Sequence, residues 1–64
     1  MASVREVERA LRNNGFVLST ISRHGSVYCH HDGRRTVIGR HYRGGTIPAG
    51  TLGAIRRQTG IRFQ

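Results

Sequence analysis

The sequence of 64 residues contains one cysteine, Cys29, and one proline, Pro48. A single cysteine excludes an internal disulfide, and with it the class of small secreted disulfide-linked scaffolds. No apolar run approaches the roughly 20 residues of a membrane span, and no apolar signal segment follows Met1. Because 36% of the residues are apolar, a disordered tail is also disfavoured. We therefore expect one soluble, cytoplasmic domain over residues 1–64.

Acidic residues are scarce as well. Only three are present, Glu6, Glu8 and Asp32, against eleven basic residues, all of which are arginine. The formal net charge of +8 creates a potential that attracts polyanions, and nucleic acid is the commonest of these in a cell. Arginine binds phosphate through two N–H groups and stacks on bases, which favours this partner further. The alternative is that the arginines only solvate the surface, and an acidic protein partner fits either interpretation.

The first element of the chain is predicted to be a helix over about residues 3–13. Ser3 and Glu6 match a capping box, in which each side chain satisfies a free backbone amide, and Asn13-Asn14-Gly15 provides a left-handed end. The apolar residues of this segment recur at helical spacing: Val4, Val7, Ala10 and Leu11. The charged residues predicted on the other side are Arg5, Glu8, Arg9 and Arg12.

Three runs rich in aromatic and β-branched residues predict strands over 16–21, 26–30 and 35–38. Asp32-Gly33 joins the last two as a hairpin, because glycine accepts the positive φ of the turn. An exposed loop follows over residues 39–45, carrying Arg40, His41, Tyr42 and Arg43. A second helix is expected over about residues 49–59, ending at Gly60, and a tail over 61–64 covers a core edge.

The order helix, three strands, helix predicts an α+β fold with a three-stranded antiparallel sheet. Both helices are expected on one face of this sheet, because so small a sheet needs a cover to bury its apolar side. The other face is then left for a partner.

Four histidines have the unperturbed pKa that suits proton transfer at neutral pH: His24, His30, His31 and His41. In RNA cleavage a base removes the 2′-hydroxyl proton, an acid protonates the departing 5′-oxygen, and cations stabilise the phosphorane. Histidine and arginine supply all three without a metal. The alternative is that these histidines, flanked by arginines, only extend a phosphate-binding surface.

A metal site, a cofactor and a covalent nucleophile find little support in the sequence. Residues 29–32 (Cys-His-His-Asp) are contiguous, so in a strand they alternate faces and do not converge on one ion. No glycine-rich phosphate loop is present, because no Gly-Lys-Ser or Gly-Lys-Thr follows Gly44-Gly45. The expected phosphate contacts are Arg23, Arg34, Arg35 and Arg40. Tyr28 is a candidate for stacking on an unpaired base or, equally, for packing in the fold.

Several segments together resemble a known family, the HicA toxins. They are Gly15-Phe16, a histidine entering the second strand, Asp32-Gly33-Arg34-Arg35, Arg40-His41, Ile47-Pro48-Ala49-Gly50-Thr51-Leu52 and Ile55-Arg56-Arg57-Gln58-Thr59-Gly60-Ile61. The resemblance covers nearly the whole chain and rests on the order and spacing of these segments. It implies a fold like that of double-stranded-RNA-binding domains (dsRBD-like), metal-independent and ribosome-independent cleavage of mRNA centred on one histidine, and neutralisation by a HicB-like antitoxin.

The chain departs from the family pattern at that histidine. The family reads Gly-Ser-His, two residues, then an aromatic, so alignment on Tyr28 places Gly25 at the catalytic position and His24 one residue early. One residue of displacement turns a strand side chain to the opposite face. A β-bulge at Gly25, or a strand that begins only after it, returns His24 to the working position.

The resemblance and the residues lead to one hypothesis and two rivals. In the hypothesis His24 is the catalytic acid or base and an acidic antitoxin surface covers it. The RNA-binding residues are then Arg23, Tyr28, Arg34, Arg35, Arg40 and His41. The first rival is a weakly active or inactive module that binds RNA or antitoxin only. The second is a DNA-binding element that uses the second helix, which Gly50 and Gly53 make a poor recognition helix.

Overall fold

The computed structural model describes residues 2–42 and 45–63. The helices are α1 (Val4–Asn13) and α2 (Ala49–Thr59), and Arg40–Tyr42 form a 3₁₀ turn. The strands are β1 (Ala2–Ser3), β2 (Val17–Ser22), β3 (Gly25–Cys29), β4 (Arg35–Gly39) and β5 (Thr46–Ile47). The sequence predicts that Arg43 is exposed and that the domain runs from Met1 to Gln64. These three residues lie outside the described ones. Neither described helix is long and apolar enough to cross a membrane.

Helix α1 begins and ends as its local sequence predicts. The Glu6 amide donates to Ser3 Oγ at 3.1 Å, and the Ser3 amide donates to Glu6 Oε1 at 2.9 Å. These hydrogen bonds hold the pKa of the Glu6 carboxyl below its ordinary value. Gly15 follows the helix with φ +88°, a left-handed conformation that glycine adopts at little cost. The capping box therefore fixes the residue at which α1 starts. The buried face of the helix then carries Val4, Val7 and Leu11.

Both helices cover the same face of the antiparallel sheet, whose strand order is β2-β3-β4. Tyr28 of β3 and Thr36 of β4 are paired in register and so share one face. The Tyr28 hydroxyl donates to Glu8 of α1 at 2.8 Å, and the Thr36 hydroxyl donates to Gln58 of α2 at 2.6 Å. The prediction of an α+β fold with a dsRBD-like arrangement is confirmed.

The core lies between this sheet face and the helices. Its largest fully buried side chains are those of Phe16, Leu11, Ile47, Val7, Thr36 and Thr59. Ile61 and Phe63 of the tail pack against the same cluster, as predicted for a segment that covers a core edge. Burial of these apolar groups supplies the main stabilisation, at about 25 cal/mol per Å² removed from water.

Regular structure forms within and directly after the predicted loop, at Arg40–Tyr42 and Thr46–Ile47. Tyr42 is half-buried against the core, and its hydroxyl lies 3.1 Å from Thr51 Oγ1 of α2. Thr46–Ile47 then pairs antiparallel with Ala2–Ser3, which places Ile47 in the core. A local sequence signal does not predict these features, because each depends on residues far along the chain.

Candidate nucleic-acid interface

His24 lies in the two-residue turn between β2 and β3, and its side chain is exposed. The His24 amide donates to Ser22 Oγ at 3.1 Å, and the same hydroxyl donates to the Gly25 carbonyl at 3.3 Å. One hydroxyl thus ties both ends of the turn together. Arg23, the other turn residue, is exposed as well, so the turn presents a guanidinium and an imidazole side by side in sequence.

Gly25, the first residue of β3, has no room for a side chain. Its φ is +140°, and a Cβ built there would lie 2.0 Å from the Ile38 carbonyl oxygen. Strand β3 begins at this glycine, whereas the bulge of the sheet lies in β2 between Leu18 and Thr20. His24 is therefore a turn residue, and the alternation of strand faces does not decide its direction.

The 3₁₀ turn places His41 at the same end of the sheet. Gly39, the last residue of β4, is paired with Gly25. The His41 ring occupies the space that a Gly39 side chain would fill, because a Cβ there would lie 2.9 Å from His41 Cε1. The ring also packs on Tyr42, with 4.0 Å between ring centroids. His41 is thereby held close to the strand residue that follows His24.

We call the group Arg23, His24, Arg40 and His41 the histidine end of the sheet. All four side chains are exposed. The turn residues Arg23 and His24 precede Gly25, whereas Arg40 and His41 follow its pairing partner Gly39. Register thus places two imidazoles and two guanidinium groups at one end of the sheet, although they are up to eighteen positions apart in the sequence.

Arg34 and Arg35 lie at the opposite end of the sheet. The four steps of β4 from Arg35 to Gly39 span about 14 Å at the usual strand rise. The predicted phosphate contacts are thus divided between two ends. Arg35 is exposed on the sheet face away from the helices, in register with Cys29 and Val17.

Arg34 is engaged in the fold itself. Its Nε donates to Asp32 Oδ2 at 2.8 Å, its Nη1 donates to the Thr59 carbonyl at the end of α2, and its guanidinium lies 5.3 Å from the Phe16 ring centroid. A cation at a helix C-terminus and above an aromatic ring stabilises both. The Arg34 amide and side chain hold the pKa of Asp32 below its ordinary value. We therefore interpret Arg34 first as a clamp between the hairpin and α2.

Two further histidines belong to this opposite end. His30 is half-buried, packs 5.0 Å from the Phe16 ring, and accepts a hydrogen bond from the Asp32 amide at its Nδ1. The His31 ring stacks on His30 at 4.3 Å and is exposed. Neither shares the histidine end with His24. Across the described residues, no three His, Cys, Asp or Glu side chains form a group suited to a metal ion.

Tyr28 is a core residue, which corrects the prediction that it stacks on an unpaired base. Stacking requires an exposed ring, and this side chain is only 2% exposed on the helix side of the sheet. Its hydroxyl bonds Glu8, a residue predicted on the outer side of α1 but half-buried in the structure. Burial, and then the Glu8 carboxylate, raise the pKa of Tyr28 to about 12.

This raised pKa predicts a loss of stability in alkali. The unfolded chain releases the Tyr28 proton near pH 10, whereas the folded chain keeps it until about pH 12. Between these values the unfolded state binds fewer protons, so the free energy of unfolding falls as pH rises. Urea unfolding at stepped pH should show this fall in the wild type and in Tyr42→Phe. It should be absent in Tyr28→Phe, which we expect to be about 1–2 kcal/mol less stable at neutral pH.

The sheet face away from the helices is apolar at its centre. Thr20, Val27 and Val37 are paired across it, and Val37 is 41% exposed. Cations flank this strip, with Arg35 at one end and the histidine end at the other. A bound chain would therefore meet charge at the two ends of the sheet.

Two residues outside the predicted site, Ser22 and Gly39, support the histidine end. Ser22 ties the turn through its hydroxyl, and Gly39 makes room for the His41 ring. In the sequence, the signals for these two roles are a serine directly before a short turn and a glycine directly before Arg40-His41. Each becomes informative only when the pairing of β3 with β4 is known.

Comparison with known proteins identifies a family for the chain. The family described as HicA toxin of bacterial toxin–antitoxin matches residues 4–61. No curated protein and no solved structure matches the chain. The family match spans nearly the whole chain and includes every residue of the histidine end. A toxin of this kind has a cognate antitoxin as its partner. The chain belongs to the HicA toxin family.

Proposed function

We propose that this toxin binds mRNA in the cytoplasm at the histidine end of the sheet and cleaves it by acid–base catalysis, with His24 as general acid or base. The observation that carries the proposal is the exposed His24 imidazole in a turn held by Ser22, beside Arg23 and at the same end as Arg40 and His41. A candidate acid or base has to reach the proton that it transfers, and an exposed turn side chain reaches a bound strand.

The chemistry needs two proton transfers and a stabilised phosphorane. A base takes the 2′-hydroxyl proton, the 2′-oxygen attacks the adjacent phosphorus, and an acid protonates the 5′-oxygen as its bond to phosphorus breaks. The products are a 2′,3′-cyclic phosphate and a 5′-hydroxyl. His24 takes one transfer, and His41, held over Gly39, is the candidate for the other. Arg23 and Arg40 bind the charged oxygens.

The opposite end of the sheet extends the binding surface in this proposal. Arg35, about 14 Å from Gly39 along β4, holds a flanking phosphate. Arg34 adds positive potential while its guanidinium remains bonded to Asp32 and Thr59. Phosphate contacts of this kind position the RNA and carry no sequence preference. The antitoxin, in turn, is proposed to present an acidic surface that covers His24.

A second candidate function is a module that binds RNA or antitoxin without cleaving. The observation in its favour is Gly25, because the structure leaves no space for a side chain at the family's histidine position. In that case the histidine end serves as a phosphate-binding surface only.

The two candidates differ in the RNA that they leave behind. Purified protein is incubated with a long RNA in excess EDTA, and the termini of the products are identified. Cleavage that leaves cyclic phosphate and 5′-hydroxyl ends, with an all-2′-deoxy strand of the same sequence intact, is the result expected. Retention of both strands on the protein without cleavage would instead establish the binding module.

A further inference from the structure

A cleft of about 310 Å³ opens between the start of α1 and the histidine end of the sheet. Its apolar wall consists of Val4, Ile21 and Ile38. The charged residues that line it are Arg5, Glu8 and Arg40. This volume is at the lower limit of ordinary ligand sites, which begin at about 300 Å³. The cleft is large enough for one large side chain and the backbone that carries it.

The cleft exists because α1 packs over β3 and leaves β2 uncovered. Ile21 is in register with Ser26 of β3, which is in register with Ile38 of β4, so all three lie on the helix side of the sheet. Ile38 is 4% exposed, whereas Ile21 is 68% exposed. β2 is also an edge strand of the described sheet. A strand edge beside an exposed apolar side chain is a surface on which an extended peptide can pair.

The chemistry of the lining favours a peptide over a nucleobase. Single-stranded nucleic acid is held by bases that stack on aromatic rings, and the described residues lining the cleft are aliphatic, polar or charged. A branched aliphatic wall suits an apolar amino-acid side chain instead. A second copy of this chain is disfavoured as the occupant, because two surfaces of a chain with net charge +8 repel each other.

The charges indicate which peptide fits. Arg5 and Arg40 line the cleft, and within residues 2–42 and 45–63 neither forms an ion pair, whereas the Glu8 carboxylate already accepts the Tyr28 hydroxyl. Two guanidinium groups beside an apolar wall complement a large apolar side chain flanked by carboxylates.

We infer that this cleft receives an acidic segment of the cognate antitoxin, with one large apolar side chain against Val4, Ile21 and Ile38. Its carboxylates bind Arg5 and Arg40. The site rests on family membership, and only its effect on RNA rests on the proposed function. Arg40 belongs both to the cleft and to the histidine end, so a carboxylate bound there withdraws a cation from the RNA phosphate.

The test is a titration of ¹⁵N-labelled protein with the peptide acetyl-Glu-Asp-Phe-Asp-Glu-amide, followed by amide chemical shifts. Saturable shifts at Ser26 and Gly39, which line the cleft, are expected. Replacing the phenylalanine of the peptide by serine should weaken binding at least tenfold. The substitution Ile21→Glu should do the same, because it places a carboxylate on the wall. Val17→Glu is the matched control on the same strand: Val17 is similarly exposed but faces the other side of the sheet.

Three results would overturn the inference. One is equal affinity for the phenylalanine and serine peptides, which would mean attraction by charge alone. Another is undiminished binding in both Ile21→Glu and Arg5→Gln, two exposed positions where the fold is expected to survive. The last is an oligouridine that shifts the same cleft amides and displaces the peptide, which would assign the cleft to RNA. A toxin that fails to cleave RNA still answers this test, so the two proposals fail separately.

Discussion

Replacing His24 by alanine is expected to lower the rate of RNA cleavage in EDTA by about 10²–10⁴-fold, the usual contribution of a positioned acid or base. The free energy of unfolding should change by less than about 0.5 kcal/mol, because the side chain is exposed and the turn is held through its backbone. Initial cleavage rates and urea unfolding of the same preparations measure both quantities.

The matched control for this experiment is His31→Ala. His31 is also an exposed histidine in a basic chain, but it lies in the β3–β4 turn, at the other end of the sheet from His24. Each variant loses one exposed imidazole, so a general loss of imidazole surface for RNA would lower both rates alike. Cleavage lost in His24→Ala and retained in His31→Ala assigns the chemistry to the histidine end. Unchanged cleavage in His24→Ala would contradict the catalytic role.

The fold could be predicted because its signals are local. The Ser3–Glu6 capping box, the Asp32-Gly33 turn and Gly60 at the end of α2 each act within a few residues of sequence, and all three appear as expected. Gly60 adopts φ +77° as the predicted helix end. Signals of this range fix the order of the two helices and the three strands of the β2-β3-β4 sheet, although the exact strand ends differ by a residue.

The site could be predicted only in part, because it depends on register and burial. Alternation in a strand does not say which face is covered, so the sequence predicts Tyr28 as an RNA contact as readily as a packing residue. The sequence predicts Arg34 as a phosphate contact, whereas its guanidinium bonds a carbonyl 25 residues away. The pairing of Gly25 with Gly39 is equally remote in sequence. Each of these facts follows from how elements pack, which no single segment encodes.

Substituting histidine at Gly25, to restore the family pattern, is expected to unfold most of the protein. A Cβ at this position lies 2.0 Å from the Ile38 carbonyl oxygen, and φ +140° is strained for any residue with a side chain. Backbone strain and the disturbed pairing of β3 with β4 together cost about 3 kcal/mol or more. A domain of this size rarely has more than about 3–5 kcal/mol of stability in total. Far-ultraviolet circular dichroism with urea unfolding measures the loss.

Gly50→Ala is the control for this substitution, because it adds a side chain at a glycine that has open space around it. Gly50 lies in α2 with open space where its Cβ would be, so alanine should raise the free energy of unfolding by up to about 1 kcal/mol. A stable Gly25→His protein would contradict the close approach of β3 and β4. If it also cleaved RNA in the absence of the His24 imidazole, the catalytic position would be that of Gly25. Unfolding of Gly25→His would agree with a backbone that admits no side chain at the first residue of β3, where His24 is the residue before it.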